Sequence, residues 1–362
     1  MSEIRHNWTK EEILEIYNRP LMGLLYDAAT IHRLHHDPNT VQVSTLLSIK
    51  TGGCPEDCGY CPQAARYHTD IEGNDLMSVQ QVKAQALRAK SSGSSRVCMG
   101  AAWRNVKDGP EFDNVLEMVR TINKLDMEVC CTLGMVTENQ AQRLAEAGLY
   151  AYNHNLDTSE DYYKDVISTR AFEDRLDTIS NVRKTNVTVC SGGIIGMGEA
   201  VEDRAGMLVA LATLDPQPES TPINALVAVT GTPMEEIEPI SIWEMIRMVA
   251  TTRIVMPLTQ VRLSAGRTEM SREGQAMCFF AGANSIFAGD KLLTTPNPDV
   301  NEDMKMFELL GLTPMKPFVK KAQPETVEAV DSQLDALGEK PKWSRPGHKI
   351  ERNEEARVSR TK

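Results

Sequence analysis

A closed barrel of parallel strands, of the (β/α) TIM type, is the fold class that this sequence predicts. From about residue 41 onward, short strand-like runs alternate with amphipathic segments that carry apolar residues at helical spacing. About eight strand–helix units over roughly 250 residues is the size expected of such a barrel. An open, doubly wound sheet is the alternative, because periodicity in a sequence does not show whether a sheet closes.

Each predicted strand is a short run, and most are followed by a helical segment such as DNVLEMVRTINKL or ENQAQRLAEAG. These segments repeat apolar residues every three or four positions, which is typical of a helix that covers one face of a sheet. The predicted strands cover residues 41–50, 96–102, 127–134, 151–157, 187–193, 222–229, 260–266 and 285–290.

The chain divides into three predicted regions. Residues 1–40 form an N-terminal helical extension, in which Thr9 and Glu12 have the spacing of a capping box at a helix start. Residues 41–318 form the barrel. Residues 319–362 are strongly polar and are predicted to be a tail with little structure.

Charge and composition exclude some classes of function. The 39 basic and 50 acidic side chains give a net charge of −11, which argues against a protein that coats nucleic acid or anionic lipid. The N-terminal residues are charged and carry no apolar signal region, and no apolar run is long enough to span a bilayer. We therefore expect a cytoplasmic protein.

In the cytoplasm the eight cysteines would stay reduced. Clustered cysteines in such a compartment indicate metal or redox chemistry rather than a disulfide framework.

The predicted strands place many polar side chains at alternate positions. Alternate residues of a barrel strand point inward, where branched apolar side chains are usual. Buried polar groups at this density need partners or a ligand, so the interior is the predicted site. The inward set comprises Ser44, Ser48, Lys50, Arg96, Cys98, Asn153, Asn155, Asp157, Thr188, Cys190, Asn224, Gln260, Arg262 and Ser264.

The third strand contains two adjacent cysteines, and the same alternation separates them. Val129, Cys131 and Leu133 form the apolar side of this strand. Cys130 is therefore predicted to point inward, and Cys131 to pack as a small apolar side chain beneath a helix.

A second group of cysteines, Cys54, Cys58 and Cys61, lies in the loop after the first strand, at the end of the barrel where active sites form. Structural zinc takes four protein ligands, so zinc would require a distant fourth residue and stays open as an alternative. A cubane iron–sulfur cluster takes one ligand per iron. Three thiolates would leave one iron free to bind a substrate or cofactor.

The pattern Cys-x-x-x-Cys-x-aromatic-Cys, with Tyr60 as the aromatic residue, resembles the signature of the radical S-adenosylmethionine (SAM) enzymes. The resemblance implies a 4Fe-4S cluster held by Cys54, Cys58 and Cys61. It also implies that SAM chelates the open iron and that an electron from the cluster cleaves SAM to a 5′-deoxyadenosyl radical. That radical abstracts hydrogen from unactivated carbon, a reaction for which proteins rely on a cofactor.

Further motifs resemble the biotin synthase family between about residues 7 and 315. They are VSTLLSIKTGGCPEDCGYCPQAARY, CMGAAW, YNHNLDTS, CSGGIIGMGE, VRLSAGR and AGANSIFAGDKLLTTPNP. The resemblance implies a sulfurtransferase of the radical SAM class, which inserts sulfur into dethiobiotin to form biotin in the last step of biotin biosynthesis. It implies a second, 2Fe-2S cluster that supplies the sulfur, with the ligands Cys98, Cys130, Cys190 and Arg262.

The resemblance also assigns the remaining site residues. Tyr60 and Ile194 are expected beside SAM, with Ile194 against the adenine; Asp157 is expected on its ribose hydroxyls and Arg175 on its carboxylate. The substrate's ureido ring is expected to meet carboxamides, which match a planar urea in donors and acceptors. The residues so assigned are Asn153, Asn155 and Asn224, with Lys50 nearby.

The implied partners are dethiobiotin, a one-electron donor such as flavodoxin or ferredoxin, the cluster-assembly machinery and a second copy of the chain in a homodimer. Two other functions stay open from the residues alone. A different radical enzyme of this fold would not need the second set of inward cysteines. An iron–sulfur or zinc carrier would not need a barrel interior lined by asparagine and aspartate.

Two other features have simpler interpretations. Cys278 lies beside phenylalanines on an apparent helix and is expected to fill the core. His32 and His36 are one helical turn apart, which could suit a metal, but their polar flank favours a solvated helix face.

Overall fold

Eight parallel strands close into a barrel in the computed structural model, which describes residues 4–289 and 291–317. Hydrogen bonds run around the ring from each barrel strand to the next, and the last barrel strand pairs again with the first. This closure confirms the predicted TIM-type barrel and excludes the open sheet. The barrel strands are β1 (Thr40–Lys50), β2 (Arg96–Ala101), β3 (Glu128–Thr132), β4 (Ala151–Asn153), β5 (Thr188–Cys190), β7 (Ser220–Ala225), β8 (Gln260–Leu263) and β9 (Ser285–Phe287).

Two further strands extend the sheet outside the ring. The short strand β6 (Gly193–Ile195) pairs with β7, and β10 (Thr313–Pro314) pairs with the start of β1.

Helices cover the outside of the barrel. Among the described residues, no helix has the length and apolarity needed to cross a bilayer. The helices are α1 (Lys10–Tyr17), α2 (Leu21–His35), α3 (Val79–Ser91), α4 (Pro110–Asn123), α5 (Glu138–Glu146), α6 (Tyr163–Val166), α7 (Phe172–Arg183), α8 (Val201–Ala212), α9 (Ile242–Val255), α10 (Arg272–Phe280) and α11 (Val300–Leu310), with a 3-10 turn at Arg267–Glu269.

Side-chain alternation along the strands separates an apolar outer layer from a smaller inner cluster. Val129, Cys131 and Leu133 belong to the main core between sheet and helices. Cys98 and Cys130 belong instead to the inner cluster, with Phe287 and Leu292 among its members. The structure therefore confirms the predicted orientations of Cys130 and Cys131. Cys278 is fully buried in the main core, as expected.

The N-terminal helices pack on the barrel's helical layer, α1 against α8 and α2 against α9. The predicted capping box is confirmed at the start of α1. The Thr9 hydroxyl accepts from the Glu12 backbone N–H at 3.3 Å, and the Glu12 carboxylate accepts from the Thr9 backbone N–H at 3.0 Å.

The prediction for the two histidines on α2 was wrong. His32 is buried, its ring stacks on His36 at a centroid distance of 5.2 Å, and Arg253 Nη1 lies 2.8 Å from His36 Nε2. The polar residues beside these histidines suggest a solvated face. Arg253 of α9, which is fully buried and far away in sequence, packs against His36 instead.

Some strand boundaries differ from those predicted. β7 starts two residues before residue 222 and ends at Ala225, and β4 ends at Asn153 although the predicted strand continued to residue 157. The backbone leaves the extended conformation by Asp157, whose φ is +69°. The predicted polar tail, 319–362, lies outside the described residues.

Glycine is required at position 134, just after the carboxyl end of β3. Its φ is +79°, and a Cβ there would lie 2.4 Å from the Arg104 carbonyl oxygen. We expect Gly134→Ala to lower the free energy of unfolding by about 2–4 kcal/mol, from backbone strain and overpacking. Urea unfolding measures this difference.

Gly23→Ala is the matched control. Gly23 lies in α2, and open space surrounds the position that a Cβ would occupy there. Alanine should therefore raise the free energy of unfolding by about 0.5–1 kcal/mol. Equal stability of the Gly134→Ala variant and the original chain would contradict the clash.

Candidate active site

A cavity of about 310 Å³ opens at the carboxyl ends of the barrel strands. The cysteine loop after β1 forms one wall, and residues that follow β4, β7 and β8 form others. The structure brings most of the predicted site residues to this cavity. Those lining it are Cys54, Cys58, Tyr60, Cys61, Cys98, Cys130, Asn153, Asn155, Asp157, Arg175, Ile194, Asn224 and Arg262.

Two predicted site residues are not among the described residues that line the cavity. Cys190 is fully buried behind Arg262, whose Nη1 lies 3.7 Å from its Sγ. Lys50 donates instead to the Gly52 carbonyl at 3.0 Å. The β1–β2 register shifts between Ser48 and Lys50, and such a bulge ends the regular alternation on which the inward assignment of Lys50 depended.

The cysteine loop is held in shape by its own backbone hydrogen bonds. The N–H of Cys54 donates to the Gln63 carbonyl at 3.0 Å, and the N–H of Cys61 donates to the Cys58 carbonyl at 2.9 Å. The Gly59 N–H donates to the Val166 carbonyl at 2.9 Å, which fastens the loop to α6. These bonds keep the three thiols on one wall of the cavity.

Asp57 anchors the same loop to the segment after α6. Its carboxylate accepts from the backbone N–H groups of Ser168 at 2.9 Å and Thr169 at 3.1 Å, and from both hydroxyls. Burial opposes ionisation, but these hydrogen bonds lower the pKa of Asp57 to about 2. The Asp57 carboxylate is therefore ionised at neutral pH and fixes the loop between the first two cysteines.

Burial keeps the three thiols of the loop protonated in the metal-free chain. Burial raises the pKa of Cys58 to about 11 and of Cys61 to about 12, and it also raises the pKa of Cys54. Thiols with such high pKa values stay protonated at neutral pH until a metal displaces their protons.

Within the described ranges, no group of three or more His, Cys, Asp or Glu side chains has the geometry to hold a single metal ion. A cubane cluster places a different demand on the loop, because each thiolate binds its own iron.

Asp157 and Arg175 form a buried ion pair that contacts the cysteine loop through Tyr60. The guanidinium Nη2 donates to Asp157 Oδ2, and the Tyr60 hydroxyl donates to the same oxygen at 2.7 Å. Arg175 also donates through Nη1 to the Asn155 carbonyl at 2.7 Å and through Nε to the Tyr163 hydroxyl at 2.8 Å. Each of the three nitrogens of Arg175 therefore has a protein partner.

Deeper in the barrel, the four residues predicted to hold the second cluster are at most 2% exposed. Cys98 and Cys130 are register partners on β2 and β3. Arg262 reaches toward Cys190 with Nη1, while its Nε donates to the Ser285 hydroxyl at 2.9 Å and its Nη2 to the Gln42 amide oxygen at 3.1 Å. The guanidinium is thus held in one orientation beside the thiols.

The thiols of Cys98 and Cys130 are hydrogen-bonded to each other and share their ionisation. Burial opposes ionisation of Cys98, but the hydrogen bond from Cys130 and the charges of Arg262 and Arg96 lower its pKa to about 7. The hydrogen bond to Cys98 and burial raise the pKa of Cys130 well above its ordinary value. A buried thiol whose ionisation is favoured by two neighbouring cations suits an iron–sulfur cluster, which binds thiolate ligands.

The three predicted carboxamides differ in their free hydrogen-bonding capacity. Asn224 bridges two backbone segments, donating to the Gly193 carbonyl at 2.9 Å and accepting from the Ala265 N–H at 3.1 Å. The Asn155 oxygen accepts from the Gly192 N–H at 3.2 Å. The Asn153 oxygen is buried, lacks a protein partner and belongs to a residue lining the cavity. Such an acceptor fits a ligand that carries an N–H donor.

Glu56 and Arg170 line the cavity, and the sequence analysis missed both. Glu56 stands between the first two cysteines, so its place in the motif was an available signal. Arg170 follows a segment without a recognisable pattern, and nothing in the sequence pointed to it.

Family models match most of the barrel. Residues 48–211 match the Radical SAM superfamily, and residues 222–313 match the Biotin and Thiamin Synthesis associated domain. Together with the three-cysteine loop at the mouth of the barrel, the first match defines an enzyme of the radical SAM class, which uses a 4Fe-4S cluster and SAM. This class consists of enzymes, which argues against the carrier alternatives.

Curated relatives narrow the assignment. The chain is 85% identical over 353 residues to a biotin synthase of Flavobacterium psychrophilum, which covers 98% of each chain. It is 63% identical over 318 residues to a biotin synthase of Cytophaga hutchinsonii, covering 88% of this chain and 94% of that one. The chain belongs to the biotin synthase family.

Solved structures agree with the fold. Methylornithine synthase superposes with a TM-score of 0.71 at 17% identity, covering 85% of this chain and 94% of that one. The hydrogenase maturase HydG superposes with a TM-score of 0.73 at 17% identity, covering 87% of this chain and 73% of that one. At these identities the likeness concerns the barrel alone.

The anchoring of the cysteine loop by Asp57 gives a testable prediction. Asparagine offers one acceptor oxygen in place of two, so Asp57→Asn should loosen the loop. We expect a reconstituted Asp57→Asn variant to release its iron to a chelator about tenfold faster than the original chain, by analogy with lost outer partners at other metal sites.

Asp161→Asn serves as the control, because the Asp161 side chain is 76% exposed and its carboxylate pairs with Lys10 of α1 at 3.1 Å. Iron release at the original rate from the Asp57→Asn variant would show that the loop does not depend on this carboxylate.

Proposed function

We propose that this chain converts dethiobiotin to biotin by radical-mediated insertion of sulfur, the last step of biotin biosynthesis. The observation that carries the proposal is the identity of 85% over nearly the whole chain to biotin synthases. The arrangement of two cysteine groups around one cavity supports it, because sulfur insertion needs a radical source and a sulfur source at the same substrate.

Cys54, Cys58 and Cys61 hold the 4Fe-4S cluster through three of its irons in this proposal. The fourth iron is then open to the amino and carboxylate groups of SAM. When bound there, the cluster and SAM supply a 5′-deoxyadenosyl radical, which abstracts hydrogen from unactivated carbon. The loop's contribution is to hold the three thiols on one wall, fastened by Asp57 and by the Gly59 N–H.

Tyr60, Asp157, Arg175 and Ile194 position SAM in the proposal. Asp157 accepts hydrogen bonds from the ribose hydroxyls, and Ile194 packs against the adenine. Arg175 holds the carboxylate by exchanging one of its present partners, while Tyr60 keeps Asp157 oriented. The existing bond of 2.7 Å from Tyr60 to Asp157 supports this division of roles.

Cys98, Cys130, Cys190 and Arg262 hold a 2Fe-2S cluster, which is the proposed sulfur source. Their burial keeps water from the site, and the bonds of Arg262 to Ser285 and Gln42 hold its guanidinium toward Cys190. A guanidinium is normally protonated and donates hydrogen bonds, so ligation through Arg262 requires loss of a proton.

Asn153, Asn155 and Asn224 bind the ureido ring of dethiobiotin between the two clusters. The unpaired oxygen of Asn153 is the acceptor best suited to a urea N–H, while the backbone bonds of the other two carboxamides stiffen the wall. Lys50 is a substrate residue in the proposal if its ammonium leaves Gly52. Apolar residues such as Phe287 and Leu292 line the cavity and exclude water from the radical.

The chain acts with several partners in this proposal. A one-electron donor such as flavodoxin or ferredoxin reduces the 4Fe-4S cluster, and cluster-assembly machinery rebuilds the 2Fe-2S cluster that loses its sulfur. We further propose that the chain is a cytoplasmic homodimer.

An anaerobic reaction tests the function. The chain, reconstituted with iron and sulfide, is given SAM, dithionite and dethiobiotin, and the products are identified by mass spectrometry. We expect biotin together with 5′-deoxyadenosine, and neither product from Cys54→Ala. Formation of 5′-deoxyadenosine without biotin would show that the proposed substrate or the proposed inner cluster is incorrect. The absence of both products from a fully loaded chain would contradict the function.

The adjacent cysteines Cys130 and Cys131 provide a matched pair of variants. Cys130→Ala should lose the visible absorbance of the inner cluster and all biotin formation, while cleavage of SAM continues. Cys131→Ala should keep both, and lose about 1 kcal/mol of unfolding free energy, because this side chain packs in the outer core. Cys190→Ala should behave as Cys130→Ala does.

Iron content, absorbance and product analysis distinguish the variants. Biotin formed by Cys130→Ala and lost from Cys131→Ala would assign the ligand to the other cysteine.

A further inference from the structure

Arg170 is a buried cation with unused hydrogen-bond donors. Its side chain is 8% exposed, and neither Nε nor Nη1 has a hydrogen-bond partner. Unpaired donors of a buried guanidinium are costly, so they indicate that a bound group completes the site. The nearest carboxylate is that of Glu56, at 3.9 Å, and Glu56 Oε1 also lacks a hydrogen bond.

The two residues before Arg170 are held against the cysteine loop. These residues, Ser168 and Thr169, are bound by the Asp57 carboxylate in the cysteine loop. These hydrogen bonds hold the backbone before Arg170 beside the cysteine loop. Arg170 lines the same cavity as Cys54 and Cys58.

The Arg170 guanidinium is a positive charge in the cavity that the loop cysteines also line. A positive charge that stabilises a thiolate also stabilises the more negative, reduced form of an iron–sulfur cluster bound by that thiolate.

Arg175, the other buried arginine of this cavity, differs from Arg170 in its hydrogen bonds. Each nitrogen of Arg175 already donates to a protein oxygen, whereas Nε and Nη1 of Arg170 donate to none among the described residues. The two buried arginines of this cavity therefore have different roles, although both face the same space.

We propose that Arg170 donates its free N–H groups to sulfur atoms of the 4Fe-4S cluster and, with its positive charge, raises the reduction potential of that cluster. The inference rests on the proposed ligands Cys54, Cys58 and Cys61. It makes Arg170 a residue that contacts the cluster and sets its electron affinity. Hydrogen bonds to cluster sulfur and local charge are two of the factors that set such potentials.

A redox titration of reconstituted Arg170→Gln tests the inference without SAM or dethiobiotin. The reduced 4Fe-4S cluster is followed by low-temperature electron paramagnetic resonance. We expect the ratio of reduced to oxidised cluster at a fixed potential to fall about tenfold, which is a shift of about 59 mV to more negative potential for one electron. An unchanged midpoint would overturn the proposal.

Arg104→Gln is the matched control. Arg104 Nε lies 3.5 Å from the same carboxylate oxygen of Glu56, but the Arg104 side chain is 38% exposed. We expect its midpoint to match that of the original chain. An equal shift in both variants would assign the effect to Glu56 and contradict a direct role for Arg170.

Arg170→Lys keeps a charge and loses the planar pair of donors. It should give a midpoint between those of the original chain and Arg170→Gln, and it provides the test if the glutamine variant does not take up iron. A lysine variant with the original midpoint and unchanged iron uptake would show that the N–H geometry of Arg170 has no part. If the shift appears while the original chain makes no biotin, the inference stands and the proposed function fails.

Discussion

The two-residue alternation of side chains along the barrel strands is the constraint on which this site depends. Each strand gives one face to the helices and one to the interior, so a strand can be apolar outside and chemically functional inside. Cys130 and Cys131 show how sharp the division is. They are adjacent in the chain, yet one belongs to the inner cluster and the other to the outer core.

A polar interior is costly, and the structure offsets this by pairing buried charges. Arg96 donates to Glu128 at 2.7 Å and lies over the Tyr150 ring at 4.8 Å, while Arg267 is fully buried against Asp303. Arg262 bonds to Ser285 and Gln42. Because most charges near the site are satisfied in this way, the few groups that remain unpaired carry information about ligands.

Those unpaired groups belong to residues that line one cavity. The Asn153 oxygen offers an acceptor, and the Arg170 nitrogens offer donors near the cysteine loop. Asp57 connects the neighbourhood of Arg170 to the cysteine loop, because it belongs to the loop and its carboxylate binds the two residues before Arg170. Any movement of the loop would therefore carry the cysteines and this cation together.

The sequence alone determined the alternation of strands with helices and the separation of inward from outward cysteines, while the closure of the sheet into a barrel was decided by the structure. The first two follow from local periodicity, since alternation and helical spacing are properties of neighbouring residues. The three-cysteine motif likewise depends on spacing within one loop. Its meaning as a radical SAM site came from resemblance and was upheld by family membership.

Only the tertiary structure decided what distant residues do to one another. The bulge between Ser48 and Lys50 turned the lysine toward Gly52, which regular alternation does not predict. The ring of His36 is hydrogen-bonded to Arg253, which packs beside it from α9. Arg170 lies beside the cysteine loop because the residue before it, Thr169, is hydrogen-bonded to Asp57, more than a hundred residues earlier in the chain. Such contacts depend on how elements that are distant in sequence pack together, and the local pattern of residues in a sequence does not determine this packing.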